Sequence, residues 1–228
     1  MSPRSRSLLA LLLLVPAPSI GVLCAMVWWP DSALGAAVFA FSKVWILALP
    51  LGWHLLVDRE KLSWSPPRKG GFGWGLSSGL AISAIIFLAW IFIAPAILDL
   101  PAMRTQLDAI GLNVPSRYIA GALYWVLINS VLEEYVWRWF VVSKSVDCLG
   151  RGLGIIASAL CFTLHHVFAL AVYMDLLPVL LCSTGVFVGG LVWSWIYARF
   201  ESIWPAYLSH AIVDVCIFVI GALILFAA

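Results

Sequence analysis

Residues 203–227 read IWPAYLSHAIVDVCIFVIGALILFA, with His210 and Asp214 as the sole histidine and acidic residue and no Lys or Arg. A membrane-crossing helix needs about 20 mostly apolar residues, because the hydrocarbon core is about 30 Å thick and each helical residue rises about 1.5 Å. This stretch qualifies, and so do stretches at about 8–29, 33–57, 73–98, 118–143, 152–174 and 176–198. Composition agrees. Of 228 residues, 64% are hydrophobic and 11% charged, whereas soluble domains carry roughly 45–50% and about 25%. So little polar surface cannot cover a water-facing globule, and it excludes disorder as well. The expected architecture is an all-α integral membrane protein, a polytopic bundle of about seven transmembrane helices. A net charge of +2 is too small to argue for nucleic acid.

The basic residues report orientation instead. With the N-terminus in the cytoplasm, the inner side receives Arg4, Arg6, Arg59, Lys61, Arg68, Lys69, Lys144, Arg151 and Arg199. The outer side receives Arg104 and Arg117. The asymmetry predicts a cytoplasmic N-terminus and, with seven spans, an external C-terminus. Arg4 and Arg6 before the run Leu8 to Val15 imitate a secretory signal, but the apolar pattern continues past Pro16 and Pro18 to Trp29 without a clear cleavage site. The first span is therefore expected to be retained. Residues 58–71, with Trp64-Ser-Pro-Pro and Arg68-Lys-Gly-Gly, form a turn-rich connector, and a short interfacial helix is expected near Met103 to Ile110. Cys24, Cys148, Cys161, Cys182 and Cys216 lack metal-ligand spacing and read as small hydrophobes.

Ionisable groups inside a bilayer cost several kcal/mol each, about 2.5–3.5 for Arg or Asp on insertion scales. Yet Glu133, Glu134, Arg138, His165, His166, His210 and Asp214 concentrate in three C-terminal spans, while the first three hold little beyond Lys43 and His54. Glu134 and Arg138 are four apart and share a helix face. Two readings stand for that pair, a packing ion pair or part of a site. Glu133 points about 100° away, where Arg138 cannot readily satisfy it too. A carboxylate with an incomplete partner in low dielectric suits a general base near neutral pH. His165 and His166 diverge, so at most one should meet a site directly. His210 and Asp214 are again four apart, and an intrahelical hydrogen bond is the simple reading. It does not explain why three helices carry such groups. Counting at about 1.5 Å per residue puts Glu133 and His210 roughly 16 Å, and His166 and Asp214 roughly 22 Å, above the inner boundary. One layer can hold all four.

Glu-Glu-x-x-x-Arg (Glu133, Glu134, Arg138), Phe-x-x-x-His (Phe162, His166) and His-x-x-x-Asp (His210, Asp214) follow in order on three spans. Together they resemble the CPBP family of CAAX proteases and bacteriocin-processing enzymes, also called the ABI family, to which type II CAAX prenyl endopeptidases belong. The resemblance covers about residues 117–225. With no internal repeat and no second domain in the sequence, one membrane domain is expected over 1–228, with 1–116 as N-terminal spans and outer loop and 117–225 as the CPBP-like catalytic core that the resemblance implies. The resemblance also implies a glutamate-type intramembrane endopeptidase, most simply in a prokaryotic plasma membrane, acting near the terminus of a membrane-associated or lipidated peptide or protein. Glu133 would activate water with His166, while His210 and Asp214 would stabilise the oxyanion. Glu134 and Arg138 would hold the helix and orient the first carboxylate. No cofactor and no metal are implied. Asparagine is frequent in the family where this chain has Asp214. An ionised carboxylate repels an oxyanion, so Asp214 is either protonated or, the favoured reading, orients His210 and keeps it charged. His165 is an alternative ligand beside His166, which the Phe162 spacing selects. Trp137 and Trp139 read as lipid-facing packing or as walls of a cleft.

Three other functions compete. A zinc-dependent intramembrane protease would use the same carboxylates and histidines, although a His-Glu-x-x-His helix is absent. A non-catalytic scaffold or chaperone of the same family would keep the motifs as structural remnants. A proton-coupled transporter would use them as a relay, against which stands the absence of repeat symmetry.

Overall fold

The computed structural model describes residues 2–227. Among the described residues six helices are long and apolar enough to cross a membrane: α1 (Pro3–Trp28), α2 (Ala33–Asp58), α3 (Phe72–Phe92), α6 (Arg151–Tyr173), α7 (Leu176–Phe200) and α8 (Ile203–Phe226). Between α3 and α6 lie a single turn, Ala94–Ile97, the short helix α4 (Leu100–Ala109) and α5, one continuous helix over residues 115–149. The remaining expected span, 118–143, falls within α5, which is not among the six. Its acidic and basic residues leave it less apolar than the rest, because it carries the polar groups that the others enclose. The third span ends earlier than expected, at Phe92, with Pro95 in the turn that follows. Asp99 then caps α4, its Oδ1 accepting from Ala102 N–H at 2.9 Å. The molecule is an all-α polytopic membrane bundle.

Helix α5 runs through the middle of that bundle. Val136, Trp137, Phe140 and Val141 are almost fully buried, against Ala10 and Leu14 of α1, Phe162 of α6, Trp193 and Ile196 of α7, and Ala206 and Val213 of α8. Outward positions are reversed in character. Leu56, Phe92 and Leu176 are more than two-thirds exposed, as side chains facing acyl tails should be. At one end of the bundle Lys144 Nζ meets Asp58 Oδ2 at 2.6 Å, and Ser7 Oγ donates to Asp147 Oδ2 at 2.8 Å. These ties fasten α1 and α2 to α5. The connector before α3 is pinned to the start of α8. Ser202 Oγ donates to Ser65 O at 2.6 Å, and Ile203 N–H donates to Ser65 Oγ at 3.0 Å.

Helices α3 and α8 approach closely because α3 presents Gly75 and Gly79 at the crossing, one turn apart. A Cβ on Gly75 would collide with the Pro205 carbonyl, and one on Gly79 would lie 3.0 Å from both Ser209 Cα and Ser209 O. Small residues let backbones meet where lipid supplies no hydrophobic drive. Ser78 Oγ uses the proximity to meet Ser209 Oγ at 2.9 Å. Gly79→Val should therefore force the helices apart and lower stability by about 1–3 kcal/mol. Gly52→Ala, with nothing within 4 Å of the added atom, should leave it unaltered. Thermal melts in detergent provide the comparison.

Candidate active site

The acidic helix is not wound uniformly. Two stretches of α5, Trp125–Asn129 and Glu134–Val142, have π-helical i→i+5 bonding, and one α turn, Ser130–Glu133, separates them. Ser130 N–H accordingly reaches Trp125 O. Such widened turns re-aim the side chains around them and are frequent at functional sites. Here they flank the residues that the sequence singles out.

Glu134 and Arg138 are both completely buried, with Arg138 Nε 3.4 Å from Glu134 Oε2. The guanidinium nitrogens find no hydrogen-bond acceptor among the described residues. The cation lies instead over two aromatic faces, 4.5 Å from the Phe162 ring and 5.4 Å from Trp193. Desolvated cation–π contacts of this kind contribute about 2 kcal/mol or more. The other oxygen of Glu134, Oε1, sits 3.0 Å from His210 Nδ1. Glu134 thus joins Arg138 on its own helix to His210 on α8, a wider role than the intrahelical pair expected. Trp193 stacks on the His210 ring at 4.0 Å and 17°, and its Nε1–H donates to Ser209 Oγ at 2.9 Å. The imidazole is therefore fixed from its face as well as from Nδ1.

Its other nitrogen faces the remaining acids. His210 Nε2 lies 3.7 Å from Glu133 Oε2 and 3.8 Å from Asp214 Oδ1. The second oxygens of the two carboxylates are held elsewhere. Asn129 Nδ2 donates to Glu133 Oε1 at 2.9 Å, and Ser130 Oγ donates to Asp214 Oδ2 at 2.6 Å. Neither Asn129 nor Ser130 was apparent from the motifs. Their signal was a polar pair one turn before Glu133 in an otherwise apolar run. The intrahelical hydrogen bond between His210 and Asp214, the simple alternative to a shared site, is not formed, since 3.8 Å exceeds hydrogen-bond reach.

Helix α6 supplies the third side. His166 Nδ1 bonds the Phe162 carbonyl at 2.9 Å, and its ring lies 4.6 Å from the Phe162 ring. The Phe-x-x-x-His spacing thus has a physical content: one residue offers both an acceptor and a packing face to the imidazole one turn on. With Nδ1 as the donor, Nε2 is left with a lone pair. Donor atoms of Glu133, His165 and His166 lie within 4.8 Å of one another, so both histidines approach the acid, against the expectation of one. His165 stacks on Trp137 at 5.1 Å and 7°. Trp137, 1% exposed, is a core residue and not lipid-facing. Trp139 stacks on Tyr135 and meets His54 edge-on. Lys43 Nζ rests over Phe39, and His54 Nε2 meets Lys61 O at 3.0 Å. His54 stands apart from the cluster, whereas Lys43 is near enough for its charge to act on Glu133 and His165.

The buried Glu134 lies between two basic groups, Arg138 on its own helix and His210 on α8. Arg138→Ala should break that buried arrangement and lower stability by about 3–5 kcal/mol, read as lost folded yield and a lower melting temperature.

Glu133, His166, His210 and Asp214 thus come from three helices to one locus, with Glu134, Arg138 and His165 around it. No curated protein and no solved structure matches the chain. A family model does. Residues 115–216 match the family described as type II CAAX prenyl endopeptidase Rce1-like, over a segment that contains every one of these side chains. Over that segment, a little under half of the chain, the protein is similar to the CAAX protease family.

Proposed function

We propose that the protein is a glutamate-type intramembrane endopeptidase in which Glu133 activates the water that attacks a peptide bond. One observation carries the reading. Glu133 Oε2 lies 3.7 Å from His210 Nε2, beyond a direct hydrogen bond yet within the span that a single water bridges. A water there touches a base on one side and a donor on the other. Glu133 takes its proton as the oxygen bonds to the carbonyl carbon. His166 Nε2, a lone pair on the same side, shares in orienting that water.

Negative charge then develops on the former carbonyl oxygen and needs a preorganised donor. His210 suits the role as a doubly protonated ring. Its Nδ1–H points to the buried Glu134 carboxylate at 3.0 Å and its Nε2–H to the reaction side. Asp214, 3.8 Å from that nitrogen, supports the cation and does not donate to the oxyanion, which agrees with the second of its two sequence readings. As the intermediate collapses, the carbon–nitrogen bond breaks, and the proton held by Glu133 passes to the leaving amine. Glu134 and Arg138 are positioning groups, one for His210 and one for Glu134.

The substrate class is a membrane-associated peptide or protein, cut near its terminus, in keeping with the prenyl-endopeptidase description of the family. The Lys and Arg asymmetry supports a cytoplasmic N-terminus. A zinc-dependent protease is the second reading, favoured by Glu133, His165 and His166 gathering their donor atoms within 4.8 Å. Two histidines and a carboxylate are a ligand set used by catalytic zinc. Metal would replace the base by a bound water, and the two readings part on one treatment.

Glu133→Gln should lower cleavage by about 10²–10⁴-fold, and His166→Ala should abolish it, with insertion and melting temperature preserved. Terminal peptide mapping of membranes from wild-type and Glu133→Gln cells reads the outcome and identifies the bond. Full activity in Glu133→Gln refutes the base assignment, and an unaltered peptide map with an unaltered phenotype points to a scaffold. Chelator treatment of the purified protein should leave activity in place. Loss restored by zinc would transfer the mechanism to the metal reading.

A further inference from the structure

We propose that Asn129 and Ser130 are positioning residues, each tying down one oxygen of one carboxylate so that the other is left for the reaction. The inference rests on the Glu133 reading and adds to it two side chains outside the three motifs. Asn129 Nδ2 holds Glu133 Oε1 at 2.9 Å, and Ser130 Oγ holds Asp214 Oδ2 at 2.6 Å. What remains is Glu133 Oε2 and Asp214 Oδ1, and these are the two atoms that face His210 Nε2 at 3.7 and 3.8 Å. The pairing is complete: two acids, two tethers, two free oxygens turned on one nitrogen.

The terminal torsion of a carboxylate side chain is broad and nearly two-fold. An untethered Glu133 would spend part of its time with neither oxygen aimed at the water. Asn129 removes that freedom through a partner on the same helix, one turn back. Ser130 does the same across the bundle, between α5 and α8, and is itself completely buried. Adjacent residues can serve two different acids because they diverge around the helix and stand where the widened turn Trp125–Asn129 gives way to an α turn.

Proton counting supports the direction of the second tether. Ser130 Oγ lies 2.9 Å from Trp125 O as well as 2.6 Å from Asp214 Oδ2, and a hydroxyl has one proton to give. The Trp125 carbonyl already has a donor in the Ser130 backbone N–H, whereas Asp214 Oδ2 has no hydrogen-bond donor but the Ser130 hydroxyl among the described residues, so donation to the acid satisfies both oxygens. A separation of 2.6 Å is hydrogen-bond distance for a hydroxyl donating to a carboxyl oxygen.

The test compares shape-matched variants. Ser130→Val and Ser130→Thr have the same outline, and only threonine keeps the hydroxyl. Asn129→Leu keeps the size of the amide without its N–H. Each is purified into proteoliposomes with wild type and Glu133→Gln, and assayed on the peptide that the membrane mapping identifies. Relative to Ser130→Thr, Ser130→Val should lose kcat about 10–100-fold, the loss typical of removing an orienting hydrogen bond from a reacting group, with KM within about twofold. Asn129→Leu should show the same split against wild type. Equal kcat in the valine and threonine variants, or loss in KM alone, overturns the Ser130 assignment. Wild-type kcat in Asn129→Leu overturns that of Asn129. If one variant fails to fold, the other residue's variant decides the tether principle by itself. An active Glu133→Gln, or a wild type that cuts no mapped peptide, instead brings down the base reading and this inference with it.

Discussion

The controlling constraint is the burial of charge in a low dielectric. Glu134 and Arg138 have no exposed surface, and an ion placed in such a medium is tolerated only when it is compensated nearby. The compensation comes from several helices at once: the guanidinium beside the carboxylate on α5, the Phe162 and Trp193 faces over the cation, and the His210 ring from α8. Because each partner belongs to a different element, the charges cannot be satisfied until the bundle is assembled. The requirement that neutralises Glu134 also brings His210 to Glu133. Chemistry and folding thus share one electrostatic condition.

Much of this was legible in the amino-acid order. Each expected span has a helix over its residues, and the short helix expected near Met103 to Ile110 is α4, where polar residues and Pro101 interrupt the apolar pattern. The convergence of Glu133, His166, His210 and Asp214 followed from counting residues along spans, since every helix rises by nearly the same amount per residue. Depth in a membrane is a one-dimensional quantity, and sequence measures it well.

Rotation about the helix axis was less legible. The reading assumed a uniform α winding, and the widened turns in α5 alter which side chains face inward. Asn129 and Ser130 reach the acids from such a turn, and their residue types did not announce it. The two adjacent histidines were expected to diverge, yet both approach Glu133, because stacking on Trp137 draws the His165 ring toward its neighbour. Trp137 itself looked suited to lipid and proved to be core. Aromatic residues serve both environments, and only the packing of α6 against α5 decides between them.

The close crossing of α3 and α8 has a consequence for how this chain is built. The clustered acids and imidazoles all lie in residues 115–216, but His210 stands on a helix whose other flank is occupied by Gly75 and Gly79. A C-terminal fragment would keep every acid and imidazole and still present that flank bare to lipid, with nothing to hold the register of the His210 backbone. The N-terminal helices are thus a keel for the half that carries the cluster, and a hybrid joined to another protein's first three spans would keep the cluster's geometry only if it reproduced that glycine seam.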